Sequence, residues 1–250
     1  MTRFNVRVEE GGFKPPPESW LRERIEHFER FTAASMAAQT VSPDAWLVFC
    51  DASSPKWLIT RLEQVATVHL VEGMFGAEVA AAAVAAVAGQ DLPLITTRLD
   101  NDDALARDYV EAIQREAPAD GFVNFIHGVQ LANGKLYRRS DPSNAFISRV
   151  ERSSAESVFA LPHRLILKRH RVLQVKTAPM WLQLIHGGNV ANAARGIRIA
   201  AATLARFAVH AEATDDGIRL DRIMSATRLG ARVAIRPHRM VWALRVLRGR

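Results

Sequence analysis

The sequence predicts an α/β chain, a mainly parallel sheet flanked by helices, with a smaller mixed part toward the C-terminus. Three observations carry this. Two apolar runs that end at acids, "AWLVFCD" (45–51) and "LPLITTRLD" (92–100), have the composition of buried strands. Segments with apolar residues at helical spacing stand between and after them. Strands that alternate with helices favour parallel pairing through right-handed crossovers. The 250 residues suffice for one large domain with its own core, and 48% apolar against 24% charged residues is a globular balance.

"RFNVRV" (3–8) alternates as a strand does, and "GGFKPPP" ends it. Ser19 is placed to cap a helix running to about Gln39, with Leu21, Ile25, Phe28 and Phe31 on one face. The strand 45–51 follows, ending at Asp51. A helix is expected over 56–66, a strand over 65–71 and an Ala-rich helix over 78–89. The strand 92–100 ends in acids, and "ALARDYVEAIQREA" (104–117) reads as a helix stopped by Pro118. Beyond it, 121–142 reads as a hairpin turning at Asn133–Gly134. Segment 144–151 reads as a loop leading into a strand or short helix, and 181–192 as an apolar run closing in a Gly-containing loop.

Composition narrows the function classes. The single cysteine, Cys50, excludes an intramolecular disulfide and a cysteine-based zinc cluster, and it fits a reducing compartment. "MTRFNVRVEEGGFKPPP" shows no apolar core followed by a cleavage site, so no secretory leader is expected, and "EVAAAAVAAVAG" is too short to span a bilayer. The net charge of +7 is uneven: residues 219–250 hold nine arginines against Asp221, or +8, which leaves −1 for the first 218. The chain divides into a body (1–218) and a basic extension (219–250).

The stretch "LDNDDAL" places Asp100, Asp102 and Asp103 within four positions at a strand end. Like charges this close need something positive among them. In one reading Asp102 or Asp103 only caps a helix that begins near Ala104. In the other, Asp100 and Asp102 form a D-x-D site for Mn²⁺ or Mg²⁺, which favour carboxylate oxygens and complete their shell with substrate phosphates. An EF-hand is a poor match, because its fifth position would be Ala104 and its glycine is missing.

"TRFN" (2–5), "WLVFCDASSP" (46–55), "TTRLDNDDAL" (96–105) and "WLQLIHGGN" (181–189) together resemble the "putative rhamnosyltransferase-like" family of bacterial glycosyltransferases, with similarity over most of residues 2–195. The resemblance implies a GT-A-like, Rossmann-like nucleotide-sugar fold whose D-x-D aspartates serve metal and diphosphate. It also implies transfer of a sugar, rhamnose by the family's name, from a nucleoside-diphosphate donor. Members carry an apolar strand just before the segment matching "TRFN". This chain starts at Met1, so the first strand is short or the start lies upstream.

On this footing Asp51, Arg3, Arg98, Asp100 and Asp103 are candidates for donor binding, and Asp100, Asp102 and His186 for the metal. Guanidinium suits phosphate, although Arg98 could equally serve only to balance the carboxylates. Asp51 could be a turn residue before "ASSP". Glu151 is the candidate base for an inverting transfer, or else a solvated partner of Arg149 or Arg152. His186 lies beside two glycines that permit close backbone approach. His163, in "LPHR", is a weaker candidate, and Trp57 and Trp181 read as core. The alternative function is a non-catalytic nucleotide-sugar or carbohydrate-binding protein of the same fold. The extension mixes arginines with apolar residues, and from Arg239 onward it has the pattern of an interfacial helix. That suits a cytoplasmic enzyme held peripherally at the inner face of the cell membrane, with a glycan or lipid-linked acceptor. No nucleic-acid partner is expected, since no binding motif is present.

Overall fold

A computed structural model describes residues 1–8, 16–88, 93–153, 155–187 and 194–235. Its first ladder is three parallel strands, β1 (Thr2–Arg3), β2 (Leu47–Asp51) and β3 (Thr67–Val71), in the order β1-β2-β3. A second ladder holds β4 (Leu94–Thr97), β6 (Gly121–Phe125), β9 (Ser148–Glu151) and β10 (Val172–Val175), in the order β10-β6-β9-β4. Two backbone bonds join them: Met1 N donates to Thr97 O at 2.8 Å, and Leu99 N donates to Met1 O at 3.0 Å. This is the bonding of a parallel pair. The layer therefore runs β3-β2-β1-β4-β9-β6-β10, with β9 antiparallel to its neighbours. Strand β2 is buried along its whole length, as a central strand covered on both faces must be.

The helix expected to be capped by Ser19 begins two residues earlier, at Glu18. Glu18–His27 (α1) continues as a wider π turn over Phe28–Ala33 and ends as Ala34–Ala37 (α2). Pro17 rather than Ser19 precedes it, and no side chain caps it. Leu21, Arg24, Ile25 and Phe28 share its buried face at helical spacing. Phe28 stacks on Trp46 with centroids 5.2 Å apart and meets Phe4 edge-on at 5.6 Å. The remaining helices of this half are Lys56–Glu63 (α3), Ala77–Ala88 (α4) and Tyr109–Glu116 (α5).

Helix α5 corrects the expectation for 104–117. Ala104–Leu105 is instead a short strand, β5, paired antiparallel with Trp181–Ile185 (β11). Pairing with a buried strand outweighs the helical preference of two small apolar residues. Strand β11 also pairs with His127–Ala132 (β7), β7 with Lys135–Ser140 (β8), and β8 with Ile197–Arg198 (β12). The β7–β8 turn is the expected one, with Asn133 at φ 49 and Gly134 at φ 67. Gly128 on β7 lies under the Trp181 indole, where a Cβ would stand 2.0 Å from a ring carbon. Trp181 is core, as expected, and stacks on Phe146 at 5.1 Å. Trp57 is half-buried beneath Arg22.

The two remaining helices are His163–Arg169 (α6) and Ile218–Ile235 (α7). The interfacial pattern expected from Arg239 onward lies outside the described residues. Among the described residues no helix is long and apolar enough to cross a membrane.

Candidate functional site

The carboxyl ends of parallel strands form a rim where ligands bind in open α/β sheets. Arg3, Asp51 and the loop after β4 all reach it. A cavity of about 580 Å³, lined by Met1, Trp46, Leu94, Thr97, Leu99 and Ile113, runs along β4, and none of Asp100, Asp102 and Asp103 lines it. The pairing of β5 with β11 explains how the acidic loop meets His186. The register aligns Ala104 with Leu182 and Leu105 with Trp181, and just before it residues 100–103 turn at the end of β11, with Asp103 N donating to Asp100 O at 3.3 Å.

The three carboxylates have three different partners. Asp100 is gripped by Arg98: Nε donates to Oδ1 at 3.2 Å, and Nη2 donates to Oδ1 and Oδ2 at 3.0 and 3.1 Å. Burial favours its neutral form, but Arg98 and then Arg3 outweigh it and hold the carboxyl below its ordinary range. Asp102 Oδ2 accepts from Arg24 Nη1 at 2.5 Å and meets His186 Nε2 at 3.0 Å. Arg24 also donates to Asn101 Oδ1 at 3.3 Å and stacks over Trp20 at 4.8 Å. Asp103 is 3% exposed, and its Oδ1 accepts from Leu184 N at 3.0 Å. Burial, with the charges of Asp102 and Asp100, pushes its carboxyl well above the usual range. Two arginines thus answer the charges of Asp100 and Asp102, and burial favours the neutral form of Asp103. The capping reading fails, since α5 starts at Tyr109 and neither Asp102 nor Asp103 caps it.

Asp102 and His186 are the acid and the histidine brought together, on the same carboxylate oxygen that Arg24 engages. Ligands about 2.1 Å from an octahedral ion, in adjacent positions, stand about 3 Å apart. Asp102 and His186 have that separation, and a cavity of about 360 Å³ opens beside His186. Both oxygens of Asp100, the other expected ligand, are engaged by Arg98. Among the described residues no three His, Cys, Asp or Glu side chains gather to hold a metal by themselves. An ion held there would take its remaining ligands from water and substrate. His27 packs edge-on against His186 at 4.7 Å, and among the described residues its buried Nδ1 has no partner.

Arg98 also donates from Nη1 to His163 Nδ1 at 2.8 Å. Arg3 and Arg98 both lie over Phe159, at 5.4 and 6.0 Å. Asp51 closes the far side of the rim. Its Oδ1 accepts from Ser53 N and Oγ at 2.9 and 2.5 Å, and its Oδ2 from Arg7 Nε at 2.9 Å. Burial opposes ionisation, but these partners keep the carboxyl below its ordinary range.

Glu151 is the clearest correction. It pairs with Leu94 across the β4–β9 ladder, at the amino end of β4. At ~3.3 Å per residue this is about 20 Å from Asp100. Its carboxylate accepts from Glu156 N and Ser157 N, both at 2.9 Å, and lies 3.3 Å from Arg149. It fastens a turn in which Ser157 holds φ 71. Asp141 is the carboxylate that does reach the rim. Its N donates to Ile126 O at 2.8 Å, just beyond β6, and its charge acts on His163. Ser143 N and Oγ donate to Asp141 Oδ1 at 2.9 and 3.0 Å, and Arg139 pairs with its Oδ2. Sequence reasoning missed Arg24 and Asp141. Arg24 had a signal, being a charge on the apolar face of α1.

The family model described as "Putative rhamnosyl transferase" matches residues 16–198. No curated protein sequence matches. Among solved structures, residues 1–349 of S. aureus TarS in complex with UDP-GlcNAc share 12% identity over 66% of this chain and 57% of that one (TM-score 0.42). The complex of the same TarS fragment with UDP shares 10% identity over 65% and 57% (TM-score 0.40). The chain thus spans little more than half of those fragments. The family match covers well over half of this chain, and the chain belongs to the family described as "Putative rhamnosyl transferase".

Proposed function

We propose that this chain transfers a sugar from a nucleoside-diphosphate donor to a hydroxyl of a glycan or lipid-linked acceptor, with rhamnose the sugar suggested by the family. The observation that carries the reading is the gathering of Arg3, Arg98 and His163 about Asp100 and Phe159 at the carboxyl ends of β1 and β4, with the Asp102–His186 pair on the same acidic loop. Guanidinium groups match phosphate oxygens in shape and charge. Arg3 and Arg98 hold the diphosphate, and Asp100 fixes the Arg98 fork. Asp51 sits where a base or ribose is bound. Mn²⁺ or Mg²⁺, held by Asp102 and His186, would neutralise charge on the departing diphosphate.

Proton removal falls to Asp141. The acceptor hydroxyl gives its proton to this carboxylate, and its oxygen bonds to the anomeric carbon. The bond from that carbon to the diphosphate oxygen breaks, and the electron pair leaves with the diphosphate. A single displacement inverts the anomeric centre. Arg139 and Ser143 hold the Asp141 carboxylate in place.

Helix α7 supports a peripheral membrane site at the inner face. Leu220, Ile223 and Met224 are 70%, 63% and 50% exposed on one face, with Arg219 and Arg222 also exposed.

The test is to incubate the full chain with a panel of nucleoside-diphosphate sugars and Mn²⁺. Release of nucleoside diphosphate supports the enzyme. Tight donor binding without turnover favours the non-catalytic binding protein, and the absence of both overturns the reading.

A further inference from the structure

The Arg98–His163 contact fixes a tautomer. A guanidinium does not lose its proton in a protein, so it can only donate. With Arg98 Nη1 2.8 Å from His163 Nδ1, that nitrogen must offer its lone pair. The neutral ring then carries its proton on Nε2, and protonating both nitrogens would set donor against donor. Among the described residues nothing bonds Nε2.

We propose that His163 is a permanent hydrogen-bond donor to the donor's diphosphate, with Nε2–H as the binding group and Arg98 as the residue that fixes the tautomer. The inference rests on the transfer reading above. The ring faces two arginines, Arg98 and Arg3, and two acids, Asp100 and Asp141, each of which is itself paired with an arginine. Arg3 and Arg98 both lie over Phe159 and both act on the His163 ring. Phosphate oxygens are acceptors only, which suits a group that can only donate. Burial, and then Arg98, lower the ring's pKa to about 4, so it stays neutral near pH 7 while its two arginine neighbours supply the charge. This geometry also removes His163 as the base, because the nitrogen not engaged by Arg98 already bears a proton.

The test uses the full chain with ¹⁵N-labelled histidine and inorganic pyrophosphate as the probe. The nitrogen shifts should show the proton of His163 on Nε2, and pyrophosphate should move that Nε2–H signal. By calorimetry, His163→Phe should bind pyrophosphate roughly tenfold more weakly, and His163→Gln, which retains a donor near the Nε2 position, within about threefold of the parent. In Arg98→Met the single tautomer should give way to a mixture. A proton on Nδ1 in the unmutated chain, or equal pyrophosphate binding by parent and His163→Phe, would overturn the assignment. Pyrophosphate bound through His163 with no turnover of any nucleotide sugar would uphold it and defeat the transfer reading instead.

Discussion

Arg98 holds Asp100 through three N–H···O contacts of 3.0 to 3.2 Å, and the same guanidinium reaches His163 with its remaining nitrogen. The first acid of the D-x-D motif is therefore part of an arginine clamp, and only the second acid meets a histidine. That division of labour leads to predictions that separate the carboxylates from one another.

Replacing Arg98 with Met leaves Asp100 facing the rim without its partner. The loss should be about 1–3 kcal/mol of stability near pH 7, together with weaker binding of nucleoside diphosphates. The sign with pH follows from the lowered pKa of Asp100. Its contribution is present above the ordinary carboxylate pKa and is lost as pH falls through the folded value. Urea midpoints between pH 3 and 7 should fall more steeply toward acid for the parent than for Arg98→Met. Parallel curves would count against the clamp.

Asp103 should behave in the opposite way. Its folded pKa is raised, so its contribution is complete below the ordinary value and declines as pH climbs through the folded one. Asp103→Asn keeps an oxygen for Leu184 N and cannot ionise. It should unfold at higher urea than the parent at pH 8, by the equivalent of about 1 kcal/mol, with the gap closing near pH 4. A destabilised variant at pH 8 would contradict the raised pKa of Asp103.

Mn²⁺ affinity, followed by the loss of the free-ion paramagnetic resonance signal, should distinguish the acids. Asp102→Asn and His186→Ala should each weaken binding by about 10- to 100-fold. Asp100→Asn should change it by less than about threefold. Equal losses for Asp100 and Asp102 would restore the D-x-D pair as joint ligands.

Asp141 and Glu151 should part on kinetics. Asp141→Asn should lower kcat by about 10²-fold or more while donor affinity stays within a few-fold. Glu151→Gln should leave kcat nearly intact and cost about 1–3 kcal/mol of stability, since an amide cannot accept from both Glu156 N and Ser157 N as a carboxylate does. Steady-state rates beside thermal unfolding curves would decide; the reverse pattern returns the base to Glu151.

For α7, Leu220→Glu with Ile223→Glu should reduce co-sedimentation with vesicles of anionic lipid by about tenfold and leave donor binding alone. Undiminished sedimentation would remove this face from the membrane.

Much of the architecture was legible in the residues. Strands β2, β3 and β4, helices α3 and α4, and the Asn133–Gly134 turn were readable because apolar period, Pro and Gly act within a few residues. Ala104–Leu105 was not, because its partner, β11, lies some eighty positions away. Propensity over a short window cannot register a pairing at that distance.

Sequence by itself determined the alternation of strands and helices, the clustering of three acids at a strand end, and the requirement for positive charge among them. Only the tertiary structure decided which charges answered it. Arg24 arrives on a helix 78 positions before Asp102, and His186 84 positions after it on the strand that pairs with β5. The structure also decided that Glu151, on a strand antiparallel to β4, faces the far rim. Charge partners and rim are set by long-range register, and strand direction decides which end of the sheet a residue occupies; neither is written in local spacing.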